Sequence, residues 1–244
     1  MNMKRIITFF LAFALSLPSS ATDFQDIFFG VVEASFITST ESSSDLTEYT
    51  FSGVSLGTAH TNRRIVVVSG ANKVSSNRSI SSMTIGGVSA SFIVKATTSG
   101  GTQATMEIWS AIVPTGTTGD IVVTGNAGLG GCGIDVYRLI GANSVAAATL
   151  TDITDGGAND FSGSLYLPGG GVIIAGFHMD SSASRTATWT NLTEKSDRNI
   201  QGDENVDMST AMTTAAASTT VTITATASGA LAQGALAAAS FAPD

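Results

Sequence analysis

One cysteine, two histidines, four prolines and 12% charged residues in 244 leave several chemistries without raw material. The lone Cys132 excludes an internal disulfide framework and a cysteine-rich zinc site. His60 and His178 are little from which to build a histidine metal centre or an acid–base pair. So little charge argues against a coiled coil, a basic nucleic-acid binder or a disordered acidic tail. The 19 acidic residues outnumber the 11 basic ones, and a net charge of −8 repels phosphate backbones. The expectation is a protein with no catalytic residues, no cofactor and no nucleic-acid partner.

The start of the chain is distinctive. Lys4 and Arg5 precede an apolar run from Ile6 to Leu17, and Pro18, Ser19, Ser20 and Ala21 close it. This is the layout of a secretory signal, with small residues at Ser19 and Ala21 placing cleavage after Ala21. Twelve apolar residues fall short of the roughly twenty that span a bilayer, so no stable membrane span is expected. Cleavage would take the net charge from −8 to −10, because the segment carries two basic and no acidic residues. The alternative is a retained apolar arm that packs on a partner. Residues 22–30 continue that theme: Phe24, Ile27, Phe28 and Phe29 are large apolar side chains ahead of the first strand, placed to engage a neighbouring subunit.

From Val31 to Asp244 short runs of Val, Ile, Thr, Phe and Ala alternate with Gly, Ser, Asn and Asp, which is the grammar of many strands. Thr220 to Ala225 alternates most cleanly, with Val221, Ile223 and Ala225 on one face. Further strands are expected at Glu33 to Thr38, Glu48 to Val54, Arg64 to Ser69, Met83 to Ile85, Ser89 to Val94, Ala104 to Val113 and Asp120 to Thr124. Others are expected at Gly133 to Leu139, Gly163 to Leu167, Gly171 to Phe177, Ala187 to Leu192, Asp207 to Thr213 and Leu231 to Phe241. Gly86-Gly87 reads as a two-residue hairpin turn. Pro114-Thr115-Gly116, Gly156-Gly157 and Pro168-Gly169-Gly170 read as longer turns. The fold class is all-β, an antiparallel sandwich or jelly-roll-like single domain over residues 31–244. Its surface is Ser and Thr rather than Lys and Glu, which suits either a packed assembly or an ordinary exposed strand face.

Several motifs invite a chemical reading. Gly53-Val54-Ser55-Leu56-Gly57 matches the nucleophile elbow of serine hydrolases, with His178 and Asp152 as candidate partners, but no helix follows it. Gly128 to Gly133 matches a dinucleotide fingerprint, yet Ile134 to Leu139 is strand-like, so the glycines read as a flexible connection. Asp152, Asp155, Asn159 and Asp160 are weak calcium candidates, and Asp197, Asp203, Glu204 and Asp207 form a second acidic group; solvated turns account for both. Cys132 reads as a buried thiol, and Trp109 and Trp189 read as core rings rather than sugar platforms. Asn77-Arg78-Ser79 and Asn191-Leu192-Thr193 are glycosylation sequons.

Some phrases carry a resemblance. They are Thr47 to Thr58, Asn62 to Val67, Met83 to Ala90, Val113 to Val123 and Cys132 to Tyr137, with a looser echo in Leu231 to Pro243. Together they resemble β-rich virion structural proteins of tailed bacteriophages, notably marine ones, and of related prophages. The resemblance implies a non-enzymatic subunit on the virion surface, as a capsid decoration or a tail-associated protein, contacting copies of itself and other virion proteins. A rival reading from the signal-like start and the Thr-rich faces is a secreted or surface-displayed binding module or adhesin, with a host-surface glycan as ligand.

Overall fold

The strands pair in an order that occurs twice. A computed structural model of the chain describes residues 30–73, 78–99, 103–154, 156–201 and 205–244. The signal-like segment and Phe24, Ile27, Phe28 and Phe29 lie outside the described residues.

Among the described residues there is no helix, and seventeen strands run antiparallel. The first nine are β1 (Glu33–Ser42), β2 (Leu46–Ser55), β3 (Arg63–Lys73), β4 (Ile80–Ile85), β5 (Val88–Ser89), β6 (Ser91–Thr97), β7 (Gln103–Ile112), β8 (Thr118–Leu129) and β9 (Gly131–Ile140). They form an inner sheet of order β1-β9-β3-β7-β6 and an outer sheet of order β2-β8-β4-β5. The next eight are β10 (Ala148–Thr154), β11 (Asp160–Leu167), β12 (Val172–Asp180), β13 (Ala187–Thr190), β14 (Thr193–Gln201), β15 (Asn205–Thr214), β16 (Thr219–Ala227) and β17 (Gln233–Phe241). Their inner sheet is β10-β17-β12-β15-β14 and their outer sheet β11-β16-β13. Matching β1 to β10, β2 to β11, β3 to β12 and so on superposes one order on the other, the small β5 excepted. Each half has the crossed Greek-key connectivity of a jelly roll. The all-β, sandwich-like domain that the sequence announces is therefore a tandem of two rolls.

The strands form where expected because their apolar residues recur at period two or fill both faces. Two strands were not anticipated. β10 carries Asp152 and β14 reads Thr-Glu-Lys-Ser-Asp-Arg-Asn-Ile-Gln, and such polar edges resemble loops in composition. Asp197 and Asp207 are thus in strands β14 and β15 rather than in one loop, and Asp203 and Glu204 lie outside the described residues. The Gly86-Gly87 turn joins Ile85 to Val88 with φ of 58° and 78°, the left-handed pair that a tight hairpin needs.

The four sheets stack as layers. The first roll's outer sheet covers its inner sheet through Tyr49, Phe51, Ile65, Val67, Trp109, Ile121, Val123 and Val136. The second roll does the same through Phe161, Leu165, Ile173, Phe177, Ile223 and Leu236. The two inner sheets then close on each other around Val66, Val68, Met106, Ile108, Tyr137, Ile174, Met208, Ala237 and Phe241. The interior strands of the inner sheets are therefore buried on both faces, as β9, β12 and β17 show. All nine residues of β12 and of β17 are buried, and such strands lose the polar alternation of a half-wet sheet.

The docking is reciprocal. β6 packs on β10 and β17, while their counterparts β14, β1 and β9 pack on each other; β3 meets its own counterpart β12. These contacts approximate a two-fold relation between like surfaces, although β7 packs closely on β17 while their counterparts β15 and β9 lie further apart. Equivalent positions match in sequence too. Val66 to Gly70 (Val-Val-Val-Ser-Gly) corresponds to Val172 to Gly176 (Val-Ile-Ile-Ala-Gly), since Val66 pairs with Tyr137 and Val172 with Phe241.

Candidate functional site

Several buried polar groups gather between the two rolls. Arg198 of β14 bridges to Asp135 of β9, and Thr210 of β15 donates to the other Asp135 oxygen. Tyr137 donates to Thr210 at 2.7 Å, and Arg198 also donates to the Ile134 carbonyl at 3.0 Å and meets Glu41 at 3.1 Å. Asp135 is fully buried, and these partners satisfy both of its oxygens. Nearby, Thr98 donates to Gln233 at 2.6 Å, and fully buried His178 of β12 meets the Thr105 carbonyl through Nδ1 at 3.0 Å. Burial pushes the His178 pKa down to about 4, so the ring is neutral at pH 7. The junction can hold the rolls in one register.

Close backbone approach makes this possible. A Cβ on Gly176 would lie inside van der Waals contact with Val68 and 2.6 Å from the Met106 sulfur. Gly70, its counterpart, is less constrained, with Met208 Sδ at 3.2 Å from the same hypothetical atom.

Each roll also buries a carboxylate that ties down a loop. In the first, Glu107 accepts from the Ile80 amide at 2.9 Å and from Trp109 Nε1 at 3.0 Å, and burial raises its pKa. In the second, Asp207 accepts from the Arg185 amide, from Ser184 at 3.0 Å and from Asn199 at 2.7 Å. Asp197 accepts from the Ala187 amide at 2.9 Å, and burial raises its pKa. Arg63, fully buried, donates to the carbonyls of Val113, Gly57 and Thr115, clamping the β2–β3 and β7–β8 loops. Asp135, Glu107, Arg63 and Arg198 were not singled out in the sequence. For Asp135 and Glu107 the signal was a charged residue inside an otherwise apolar strand, as in Ile134-Asp135-Val136.

The motifs fall as follows. Ser55 ends exposed strand β2 with no helix after it, His178 is sealed between the rolls and Asp152 lies on β10, so the geometry does not bring the three together. Gly128 to Gly133 is a tight, largely buried turn from β8 into β9 rather than a flexible connection, because Gly130 donates to the Asn72 carbonyl and no helix follows. Asp152 accepts from the Ser162 amide at 2.9 Å, Asp160 opens β11 and Asp155 lies outside the described residues. Among the described residues no three acidic, His or Cys side chains are grouped to hold a metal. Cys132 lies beside Ser69 and is fully buried, and that burial pushes its thiol up to about 12. Trp109 is buried, and half-buried Trp189 donates to Ser209 at 2.8 Å with its ring edge-on to Phe177. Asn191 sits in the turn before β14 at φ 65°, and Asn77 lies outside the described residues.

What remains accessible is the outer sheets. Thr50 and Ser52 on β2 and Ser82 on β4 face outward in the first roll; Ser162, Ser164, Thr188, Thr190, Thr220 and Thr222 do so in the second. A cleft of about 520 Å³ at one end of the first roll runs between the Gly86-Gly87 hairpin and Pro114, with Val88 and Asp120 on its rim. No helix among the described residues is long and apolar enough to cross a membrane. No family model, curated protein or solved structure matches the chain.

Proposed function

We propose that the chain is a non-enzymatic structural subunit of a bacteriophage particle, displayed on the capsid or tail surface and contacting copies of itself and other virion proteins. The observation that carries the reading is the tandem of two jelly rolls docked back to back, with Ser/Thr outer sheets left for partners. Jelly rolls recur in viral capsid and lectin domains, an analogy at the level of fold. Buried Asp135, Glu107, Asp207 and Arg63 serve as clamps, which fits a scaffold. The phrases that resemble phage virion proteins fall on the strands and turns of the first roll, from β2 to β9, with the looser echo in Leu231 to Pro243 on β17 of the second.

A secreted binding module or adhesin is the second reading, favoured by the signal-like start and by the same kinship of jelly rolls with lectins. Native material separates the two. Co-sedimentation with particles and an intact N-terminus at Met1 or Asn2 is the expected result. A mature start at Thr22 in a particle-free fraction would overturn the virion reading and favour the secreted one.

A further inference from the structure

Sheet edges expose unpaired amides and carbonyls, and folds blunt them with charges, bulges or brevity. Seven of the eight described edges here are blunted. β1 has Glu33, Glu41 and a register shift at Phe36/Thr38; β2 has Glu48 and two shifts; β6 has Lys95 and a shift at Phe92/Val94. β14 carries Glu194, Lys195, Asp197, Arg198 and a shift; β10 has Asp152 at its middle; β5 and β13 have two and four residues. β11 differs. It pairs with β16 over all eight residues without a shift, and its only charge is its first residue, Asp160.

The open groups can be assigned. The Ser162 amide donates to Asp152 of β10, so Ser162 turns away from β16. In an antiparallel ladder, alternate residues turn both backbone groups the same way, so Ser164 and Tyr166 also point outward. Asp152 caps the Ser162 end and Pro168 follows Leu167, which leaves Ser164 and Tyr166 as a two-residue opening. Tyr166 is a large apolar side chain 48% exposed at that opening.

We propose that β11 is an assembly edge that pairs antiparallel with β11 of a second copy about a two-fold axis at Leu165. Ser164 of each copy then exchanges two backbone hydrogen bonds with Tyr166 of the other, using only unpaired groups and leaving the Asp152 cap intact. The occupant is a second copy because this register is self-complementary and places no like charges opposite each other. Two outer sheets would join into one of six strands, extending the Ser/Thr face across the dimer. The inference rests on the assembly reading above and specifies its contact.

The test is sedimentation velocity of the full chain across roughly a hundredfold range of concentration, beside Ser164→Pro and Tyr166→Lys. Ser164→Pro removes an amide hydrogen that the monomer does not use, so the fold tolerates it on an edge strand. Tyr166→Lys, on the exposed face, puts a charge at the opening without touching the backbone and serves if the proline variant fails to fold. The expected result is a dimer or larger species for the parent chain and at least a tenfold weaker association for each folded variant. A parent that associates equally with both variants overturns the β11 contact but leaves the assembly reading standing. A parent that stays monomeric throughout overturns both.

Discussion

The two rolls share a strand order and differ in almost everything else. Residues 31–140 carry six basic and seven acidic side chains, whereas residues 141–244 carry three and ten, a net −1 against −7. The first roll fills its core with Tyr49, Phe51, Trp109 and a dense set of Val and Ile. The second builds its interior strand β17 around four alanines between Ala235 and Ala239, broken only by Leu236. Such a strand has weak β propensity and is held by position, with neighbours on both sides and layers on both faces. Topology is thus set by where apolar residues recur and where glycines turn, while residue size is free to vary provided the layers fill. The carboxylate clamps make the same point: Glu107 and Asp207 both anchor the chain ahead of the next strand, each from its own position on the corresponding strands β7 and β15.

The comparison can be broken first at the junction. Asp135→Ala leaves Arg198 of the other roll with a buried guanidinium and one fewer carboxylate, and should destabilise the chain by about 3–5 kcal/mol in urea titration. A loss under about 1 kcal/mol would mean that the pair does not join the rolls. Next come the paired glycines. Gly176→Ala should cost about 1–3 kcal/mol because Val68 and Met106 fill the space, whereas Gly70→Ala should cost less, since the nearest atoms are the ends of two methionines. Equal costs at the two positions would remove the asymmetry between the rolls.

Acid should sharpen the difference. His178 has its pKa lowered by burial from 6.5 to about 4, so its neutral form is favoured in the fold. Its contribution is present above pH 6.5 and lost as pH falls towards 4, by about 3 kcal/mol. Glu107 works in the opposite direction: its pKa is raised in the fold, so acidification relieves its burial. His178→Gln should flatten the loss between pH 6.5 and 4, and Glu107→Gln should steepen it, as read by chemical denaturation at each pH. The smallest effect is kinetic. Cys132, with its thiol pushed up to about 12, should resist a thiol reagent at pH 8 until the first roll unfolds. Prompt labelling of the native chain would place that strand at the surface.

Most strands were legible because Val, Ile and Thr recur between glycine turns, as at Thr220 to Ala225. β14 was not, because its edge position tolerates the charges that signal a loop elsewhere. The duplication was hidden for a different reason. Counterparts such as Ile134-Asp135-Val136 and Ala238-Ala239-Ser240 share only the role of being buried on both faces. The unbroken apolar runs Ile65 to Val68 and Val172 to Ala175 held the clue that these strands lie between two layers. The absence of a helix after Ser55 and after Gly128 to Gly133 was legible in the strand-like residues that follow them, whereas the junction was not, because a lone charge such as Asp135 in an apolar strand names no partner.

The central claim is that the inner sheets form the shared middle of the molecule, and hydrogen exchange of the full chain read by mass spectrometry tests it most directly. Amides of β3, β12 and the alanine-rich β17 should exchange last, after those of the outer strands β11 and β13. Exchange of Ala235 to Ala239 as fast as the loops would contradict the stacked arrangement, because that segment has no protection of its own to offer.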